Sequence, residues 1–423
     1  MGKDNFGEGK YNLLKFDITT PTKPLDLRKL AVSCSIYESI LSPSTICVVT
    51  ISDAVGAHAA VDFTESLLEI SWSSNIAGNA ISYKFKIIEV NSKVPTPDNK
   101  TVVYTLTGIS EEAFANAIVV DFNLAQKKQS MSTVVNGMLD SLKSKKPRFI
   151  EETTGLHAIF KSNTGPLNVI DEVRRQSISP IYQGSAYVFF ENHRGLHFMT
   201  IEKLINDNKK NIGDKKFFNS PTAKIGTTTT SQWRNVLAIK TIQSGNKNLL
   251  LATGGAAVRV MYQDVRTGKT GTLEKKISDF NFIKMNEGTQ TNSLSGINEL
   301  AKPENPNSRA IFILIDPDQE QNTIVEKKAA EALYVSEFLS VIQHITIYGD
   351  TEIAAGDMLN FDLGKEQTGL TNKKDDNTNT GNYLIAKCRH VLTFGDIPMY
   401  YQGLEIVKDG IVSNPEPTNL VRI

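Results

Sequence analysis

The C-terminal block of the chain, residues 344–410, constrains the fold more than any other stretch, because it consists of one strand-like run after another. Runs at 344–348, 357–363, 383–393 and 399–407 are rich in β-branched and aromatic residues. Each has about 5 residues or more, the usual length of a strand, and is bounded by Gly, Asp, Asn or Pro. The block therefore predicts an antiparallel sheet.

An earlier part of the chain repeats this order of three strands, at residues 67–72, 81–90 and 102–108. Laid over the C-terminal block, residues 68–72 match 359–363 with the same apolar alternation, which places Leu68 with Leu359. Residues 104–106 match 402–404, which places Leu106 with Leu404. One interpretation is a duplicated unit, which has to be considered before any fold is assigned. The other is that two unrelated meanders look alike, because all half-buried strands alternate apolar and polar residues.

The patterns around these blocks predict the fold class. Six strands over residues 11–110 with one apolar face are best closed into a small barrel, which leaves no exposed edge. A helical stripe over 131–142, a Pro that opens a second helix at 166 and a hairpin turn at 192–195 predict a small α/β module. The predicted fold is α+β, mainly β: two similar antiparallel β-barrel domains with an inserted small α/β module.

The predicted domain boundaries follow from these patterns. Residues 1–115 form the first barrel, 116–205 the inserted module, and 206–423 the second barrel with a long helix near 323–343. We expect this helix to pack on the inserted module and not on the second barrel. The polar stretches 206–232 and 364–382 are predicted to be loops.

Composition excludes several classes of protein. The chain of 423 residues carries 46 basic and 46 acidic side chains, so no global field directs it to nucleic acid or to an anionic membrane. No apolar run approaches the roughly 18–20 residues needed to span a bilayer, and residues 1–10 lack the apolar region of a secretory signal. The three cysteines, Cys34, Cys47 and Cys388, are predicted to be reduced core residues of a protein folded in a cytosol.

Three histidines are candidate ligands or catalysts. His193 and His197 are four residues apart, a spacing that suits two zinc ligands on a helix, but a predicted turn separates them and no third ligand is near. We interpret both as parts of a hairpin. His390 lies in a predicted strand and is interpreted as a hydrogen-bonded structural histidine rather than a catalytic base.

Other motifs are weaker. Gly268-Lys269-Thr270 resembles the end of a phosphate-binding loop, but Gln263 occupies the position of its first glycine. The lysine-rich stretches 143–146 and 209–216 lack interleaved aromatic residues and are predicted to be solvated loops. The sequence assigns no catalytic, cofactor-binding or metal-binding residue, and it does not identify interface residues.

Six segments share features with one known family. They lie at residues 27–51, 165–177, 187–198, 349–357, 383–391 and 404–409. Together they resemble the baseplate hub protein of T-even-type contractile bacteriophages, which is related to the hub part of type VI secretion spikes. The stretches 206–232 and 364–382 carry no part of the resemblance.

The resemblance implies a structural protein that is not an enzyme and has no cofactor. In that family each subunit carries two similar barrels, and three subunits close a ring that joins the sixfold tail tube to the threefold central spike. The implied partners are two further copies of the chain, the tail tube protein, the central spike protein and other baseplate proteins. Phage DNA passes through the ring only transiently, and no stable membrane insertion is implied. The implied location is the tail baseplate of the virion, after synthesis in the host bacterial cytoplasm.

Two alternatives stay open at this point. One is the hub of a type VI-like contractile injection system, whose fold is similar. The other is a baseplate protein that degrades peptidoglycan or binds carbohydrate, which requires two well-placed carboxylates or exposed aromatic residues. Only Trp72 and Trp233 could stack on sugar, and Trp72 ends a strand and is predicted to be core.

Overall fold

A computed structural model describes most of the chain. The described residues are 9–20, 24–57, 62–63, 66–75, 78–97, 100–119, 128–157, 164–213, 215–218, 234–244, 257–286, 309–315, 321–338, 341–362 and 380–409.

Strands dominate the described residues, and their bounds follow the predicted runs closely. The strands are β1 Tyr11–Thr19, β2 Pro24–Asp26, β3 Ala31–Ser39, β4 Ile46–Asp53, β5 Leu67–Ser74, β6 Ala80–Pro95, β7 Val102–Ser110, β8 Arg148–Ile150, β9 Tyr187–Asn192, β10 Gly195–Thr200, β11 Lys216–Phe218, β12 Ala238–Ser244, β13 Ala257–Asp264, β14 Thr270–Lys276, β15 Arg309–Ile315, β16 Val341–Tyr348, β17 Met358–Asp362, β18 Gly381–Thr393 and β19 Met399–Lys408. The helices are α1 Glu111–Ile118, α2 Met131–Ser141, α3 Pro166–Gln176, α4 Ile201–Lys209 and α5 Gln321–Phe338.

One 13-stranded sheet forms the body of the protein. Its main path runs β12-β16-β19-β18-β3-β4-β7-β6-β5-β1-β2, with β17 added on β18 and β11 added on β17. The mainly-β prediction is therefore confirmed. Strands β1–β7 form a first half and β11, β12 and β16–β19 a second half. The hydrogen-bonded ladders of the described residues join the two halves edge to edge through β3 and β18.

Alternating burial explains why the predicted strands form. In β5 the inward-facing residues Leu68, Ile70 and Trp72 are fully buried, while the residues between them are partly exposed. Trp72 is thus a core residue, as predicted. The cysteines Cys34, Cys47 and Cys388 are buried, which confirms the prediction that they are core residues. Their reduced state stays a prediction. Each half of the sheet has a separate apolar core, and Leu392 and Tyr400 of the second half pack into the first.

The inserted module between the halves has the elements that the sequence predicts. Ser130 caps α2 by accepting a hydrogen bond from the Thr133 amide, and Pro166 opens α3. Both helices pack on the small sheet β8-β10-β9 and share one apolar core with it. Gly195 closes the β9–β10 hairpin, where a Cβ atom would lie 2.3 Å from the Pro147 carbonyl oxygen. Only glycine fits this close approach.

The predicted end of the long helix and its predicted packing partner are wrong. The helix ends at Phe338, and residues 341–343 belong to β16 instead. Its buried side chains, including Ala329 and Leu333, pack into the core of the second half against the three-stranded sheet β14-β13-β15. The helix also touches the inserted module: the Tyr334 ring lies beside Gly184, and the Lys327 ammonium donates to the Tyr182 carbonyl at 2.7 Å.

The predicted loop at 206–232 is wrong over its first part. Helix α4 extends to Lys209, and β11 pairs in parallel with β17. Phe217 of β11 is fully buried in the core of the second half. Residues 219–233, and most of the predicted loop at 364–382, lie outside the described residues. No helix in the described part of the chain is long and apolar enough to cross a bilayer.

Candidate assembly interface

The pairing of β3 with β18 joins the two halves, and we call it the strand junction. Residues 387–393 of β18 run antiparallel to residues 33–39 of β3. The Arg389 guanidinium donates to the Ser35 hydroxyl at 3.1 Å and lies 5.3 Å from the centre of the Tyr37 ring. The junction therefore combines a backbone ladder with side-chain contacts across it.

The two halves share an irregularity at the same place. The pairing of β6 with β7 shifts between Ile87 and Glu89, which leaves one extra residue in β6. The pairing of β18 with β19 shifts in the same way between Ile385 and Lys387. A β-bulge is a specific feature of a strand rather than a general property of half-buried strands. The common bulge therefore supports duplication over two unrelated meanders.

Aligning the two bulges reproduces the matches found in the sequence. Leu68 lies opposite Phe85, two residues before the β6 bulge, and Leu359 lies opposite Tyr383, two residues before the β18 bulge. The second match behaves likewise: Leu106 pairs with Val90 and Leu404 with Cys388. Strand order agrees as well, because β3-β4-β7-β6-β5 in the first half corresponds to β12-β16-β19-β18-β17 in the second.

This correspondence exposes two unpaired edges, which we call the open edges. Beyond its bulge, β18 pairs with β19 on one side and with β3 on the other, whereas residues 88–95 of β6 pair only with β7 among the described strands. Within the same set, β12 pairs only with β16, although its counterpart β3 has two partners. Apolar side chains lie on both open edges: Val94 is 58% exposed and Ile242 is 48% exposed. Exposed apolar edge strands are sites at which another chain can pair.

The inserted module is fixed to the second half by a buried ion pair. The Arg194 guanidinium, in the β9–β10 turn, donates to both carboxylate oxygens of Asp357 at 2.5 and 2.7 Å. The Lys215 ammonium lies 3.1 Å from the same carboxylate, which is 2% exposed. Burial alone would raise the pKa of Asp357, but the hydrogen bonds and charges of Arg194 and Lys215 lower it below its usual value.

A second ion-pair cluster holds the module to the first half. The Lys146 ammonium lies between the carboxylates of Glu112 and Glu191. Glu191 also accepts a hydrogen bond from the Thr45 hydroxyl at 3.2 Å, next to the start of β4. Burial raises the pKa of Glu191, and the neighbouring Lys146 opposes this effect. The prediction that the lysine-rich stretches are solvated loops is therefore wrong for Lys146 and Lys215, whose ammonium groups are structural.

The structure separates the roles of His193 and His197. The His197 ring stacks between Phe149 and Phe190, with centroids 4.7 and 4.6 Å away, and its Nε2 lies 3.0 Å from the Asn192 side-chain oxygen. The His193 backbone amide donates to Glu38 in the first half at 2.8 Å. Both residues belong to a structural hairpin, as predicted, and they do not form a two-histidine metal site.

His197 makes the stability of the module sensitive to pH. Burial, and then the Arg194 charge, lower its pKa from 6.5 to about 4. Between these values the unfolded chain binds a proton that the folded chain does not, so stability falls as the pH drops through this window. The expected loss is about 3 kcal/mol at pH 4 relative to pH 7. Thermal melts over this range should show a shallower pH dependence for His197→Gln than for the wild type.

The control for this prediction is His344, which is about half exposed and lies 3.0 Å from Glu405 on the outer face of β16. The His344→Gln variant should keep the pH dependence of the wild type. Equal slopes for His197→Gln and the wild type would contradict the assignment.

The remaining sequence candidates are structural or lie outside the described residues. Gly268 and Lys269 lie in the turn between β13 and β14, where the Asp264 carboxylate accepts from the amides of Arg266 and Thr267, and Thr270 begins β14. This is a side-chain-capped turn and not a phosphate-binding loop. Trp233 lies outside the described residues.

Sequence reasoning missed the charged residues that hold the three parts together. Glu38 is one of them, although a signal was present: it follows Cys34 and Ile36 on the inward-facing side of β3. A carboxylate at an inward position requires partners, because burying an unpaired charge is costly. The sequence around Arg194 and Asp357 did not indicate their burial, because each lies in a turn or loop, and such segments are ordinarily predicted to be exposed to solvent.

Comparisons with known proteins show which solved structures share this fold. No protein-family profile and no curated protein matches the chain. A tail protein from Neisseria meningitidis superposes with a TM-score of 0.56 at 10% identity, over 95% of this chain and 97% of that one. The 43 kDa tail protein of prophage MuSo2 from Shewanella oneidensis gives 0.53 at 10% identity, over 94% and 99%. The chain has a phage tail-protein fold.

This tail-protein fold confirms, at the level of architecture, the resemblance inferred from the sequence. A weaker similarity is to a chain of the Francisella PdpA-VgrG complex, with a TM-score of 0.46 at 12% identity, over 96% of this chain and 60% of that one. The two stronger matches extend over nearly the full length of both chains, so the first half, the inserted module and the second half together make up the tail-protein fold.

Proposed function

We propose that the chain is a structural, non-catalytic baseplate hub of a contractile phage tail. Three copies form a ring that joins the sixfold tail tube to the threefold central spike and leaves a passage for DNA. The observation that carries this proposal is the pair of open edges in a duplicated tail-protein fold. Each open edge corresponds to an edge that is already paired inside the chain at the strand junction.

The internal strand junction supplies the pattern for contacts between copies. In it, the distal part of β18 binds the edge of β3. Residues 88–95 of β6 are the counterpart of the distal part of β18, and β12 is the counterpart of β3. Repeating the junction between chains places β6 of one copy against β12 of the next. Such a head-to-tail contact builds a ring when its rotation closes.

The alignment also fixes the expected register between copies. Within the chain, Val391 pairs with Ser35. Counting along the β7 and β19 ladders, Val103 corresponds to Tyr401, so Val94 occupies the position of Val391. Along β6 itself Val94 is one residue further on, because the pairing of β6 with β7 shifts a second time between Asn91 and Val94. Counting along the β4 and β16 ladders, Lys240 occupies the position of Ser35. Val94 of one copy therefore lies opposite Lys240 of its neighbour.

Duplication explains how a threefold ring meets a sixfold tube. Each chain contributes two similar units, so three chains present six units around the axis. The internal junctions and the junctions between copies then alternate around the ring. This arrangement offers a tube of six subunits one comparable surface for each, while the spike meets the true threefold symmetry.

The mass of the purified chain in solution tests the proposal. Native mass spectrometry and light scattering are expected to give a species of three times 46.7 kDa. Averaged electron micrographs of that species should show a ring with six lobes and a central opening. A species of 46.7 kDa at every concentration would contradict a ring built from this chain alone.

A further inference from the structure

A buried polar cluster lies where the first half, the second half and the inserted module meet. It contains Glu38 of β3 and Cys388 and His390 of β18, and their ligand atoms all lie within 4.8 Å of one another. Each of the three side chains is almost completely buried. The set combines a carboxylate, a thiol and an imidazole, which are the three side-chain types that bind zinc in proteins.

The distances in the cluster fit donors that surround a common centre. His390 Nε2 lies 3.5 Å from Cys388 Sγ and 3.6 Å from Glu38 Oε2. With bonds of about 2.0–2.3 Å to a tetrahedral zinc ion, neighbouring donors are about 3.3–3.6 Å apart. The separation of His390 from the carboxylate is too long for a hydrogen bond between them. Both separations suit two ligands of the same ion.

An unsatisfied atom lies beside this cluster. His193 Nδ1 is buried without a hydrogen-bond partner, and it lies 3.7 Å from Glu38 Oε1. The His193 side chain is only 9% exposed. A buried nitrogen without a partner carries a desolvation cost. The Tyr83 hydroxyl lies closer to the cluster: it donates to Glu38 Oε1 at 2.5 Å and lies 3.4 Å from His390 Nε2.

We propose that Glu38, Cys388 and His390 bind one zinc ion. The site is structural and not catalytic, because its ligands are buried and come from both halves of the large sheet. Binding replaces the thiol proton of Cys388 by the metal, so one proton leaves as the ion enters. The ion connects β3 to β18 inside the strand junction, and the β9–β10 hairpin reaches it through the His193 amide, which donates to Glu38.

The surrounding residues suit this role. His390 Nδ1 lies 2.7 Å from the Tyr400 hydroxyl, so a proton on Nδ1 leaves Nε2 free to bind the ion. Gln402 Nε2 donates to Cys388 Sγ at 3.6 Å, which stabilises a thiolate. The Ala355 amide donates to Glu38 Oε2 at 2.9 Å and orients the carboxylate. Contacts of this kind fix the orientation and protonation state of metal ligands.

The first measurement is metal content. The full chain, incubated with zinc chloride and exchanged into metal-free buffer, is expected to retain about one zinc per chain by elemental mass spectrometry. Cys388→Ser and Glu38→Gln are expected to retain less than about a tenth of that amount. Cys34→Ser is the matched control, because Cys34 is an equally buried thiol whose near neighbour is Cys47 at 3.5 Å and not this cluster.

A second measurement needs no variant and is independent of whether the variants fold. Cobalt added to the wild-type chain should give the intense near-ultraviolet band of thiolate-to-cobalt charge transfer. A chain whose cysteines are alkylated while it is unfolded, and which is then refolded, should not give this charge-transfer band. Wild-type chain that neither retains zinc nor gives the cobalt band overturns the proposal. Zinc retained at full stoichiometry by Cys388→Ser overturns it as well.

Discussion

A chain that carries Val94→Cys together with Lys240→Cys is expected to become a covalent trimer under mild oxidation. Opposite residues in an antiparallel ladder have Cα atoms about 4.5–5.5 Å apart, within the range of about 4.4–6.8 Å that a disulfide bridges. Each subunit supplies one cysteine to each of its two neighbours, so three disulfides close the ring. Non-reducing electrophoresis should give one band with the mass of three chains.

The controls for this experiment are built into the chain. The native thiols are buried, so they do not compete for the new cysteines. Either substitution alone should leave the chain uncross-linked. Val55→Cys combined with Lys240→Cys should also fail, because Val55 is an exposed apolar residue that follows β4 and belongs to neither open edge. A ladder of multimers longer than three would contradict ring closure, and a trimeric mass without cross-linking would contradict the proposed register.

Asp357→Ala is expected to cause the largest loss of stability among single substitutions of charged residues. It leaves the charges of Arg194 and Lys215 unpaired in a largely buried contact. Removing one partner of a buried ion pair costs about 3–5 kcal/mol, because the remaining charge loses its compensation. Thermal unfolding, followed by circular dichroism at pH 7, should show a clear decrease in the melting temperature.

The matched control is Glu274→Ala. Glu274 pairs with Arg259 at 2.8 Å, but both side chains are more than a third exposed. Exposed pairs contribute about 0–1 kcal/mol, so this variant should melt close to the wild type. The double variant Arg194→Ala with Asp357→Ala should lose less stability than the sum of the two single changes. Similar melting temperatures for Asp357→Ala and Glu274→Ala would contradict the structural role of the buried pair.

Local patterns predicted the elements of this fold well. Alternation of Leu68, Ile70 and Trp72 identified a half-buried strand, and Pro166 marked the first turn of a helix. Even the match of Leu68 with Leu359 was correct in register. Each of these signals depends on neighbouring residues along the chain, because strand and helix periodicity are local properties.

Contacts between distant segments could not be predicted in the same way. Nothing in the residues around Ser35 indicates that Arg389 binds there. The helix α5 was assigned to the wrong neighbour for a related reason: its buried residues, such as Val325, Ala330 and Tyr334, are spread over a wide face. A helix without one narrow apolar stripe does not indicate which surface covers it.

The position of the strand junction has a consequence for synthesis on the ribosome. β3 is made near the start of the chain, but its partner in β18 is made only after more than 300 further residues, as the separation of 354 between Ser35 and Arg389 shows. During that interval the nascent first half exposes the edge of β3, and chains that wait on one messenger RNA carry the same edge side by side. Long-range strand pairing of this kind folds slowly and favours pairing between neighbouring chains. Because of this order of translation, β18, one of the last strands to be made, is the strand that covers the edge of β3, one of the first.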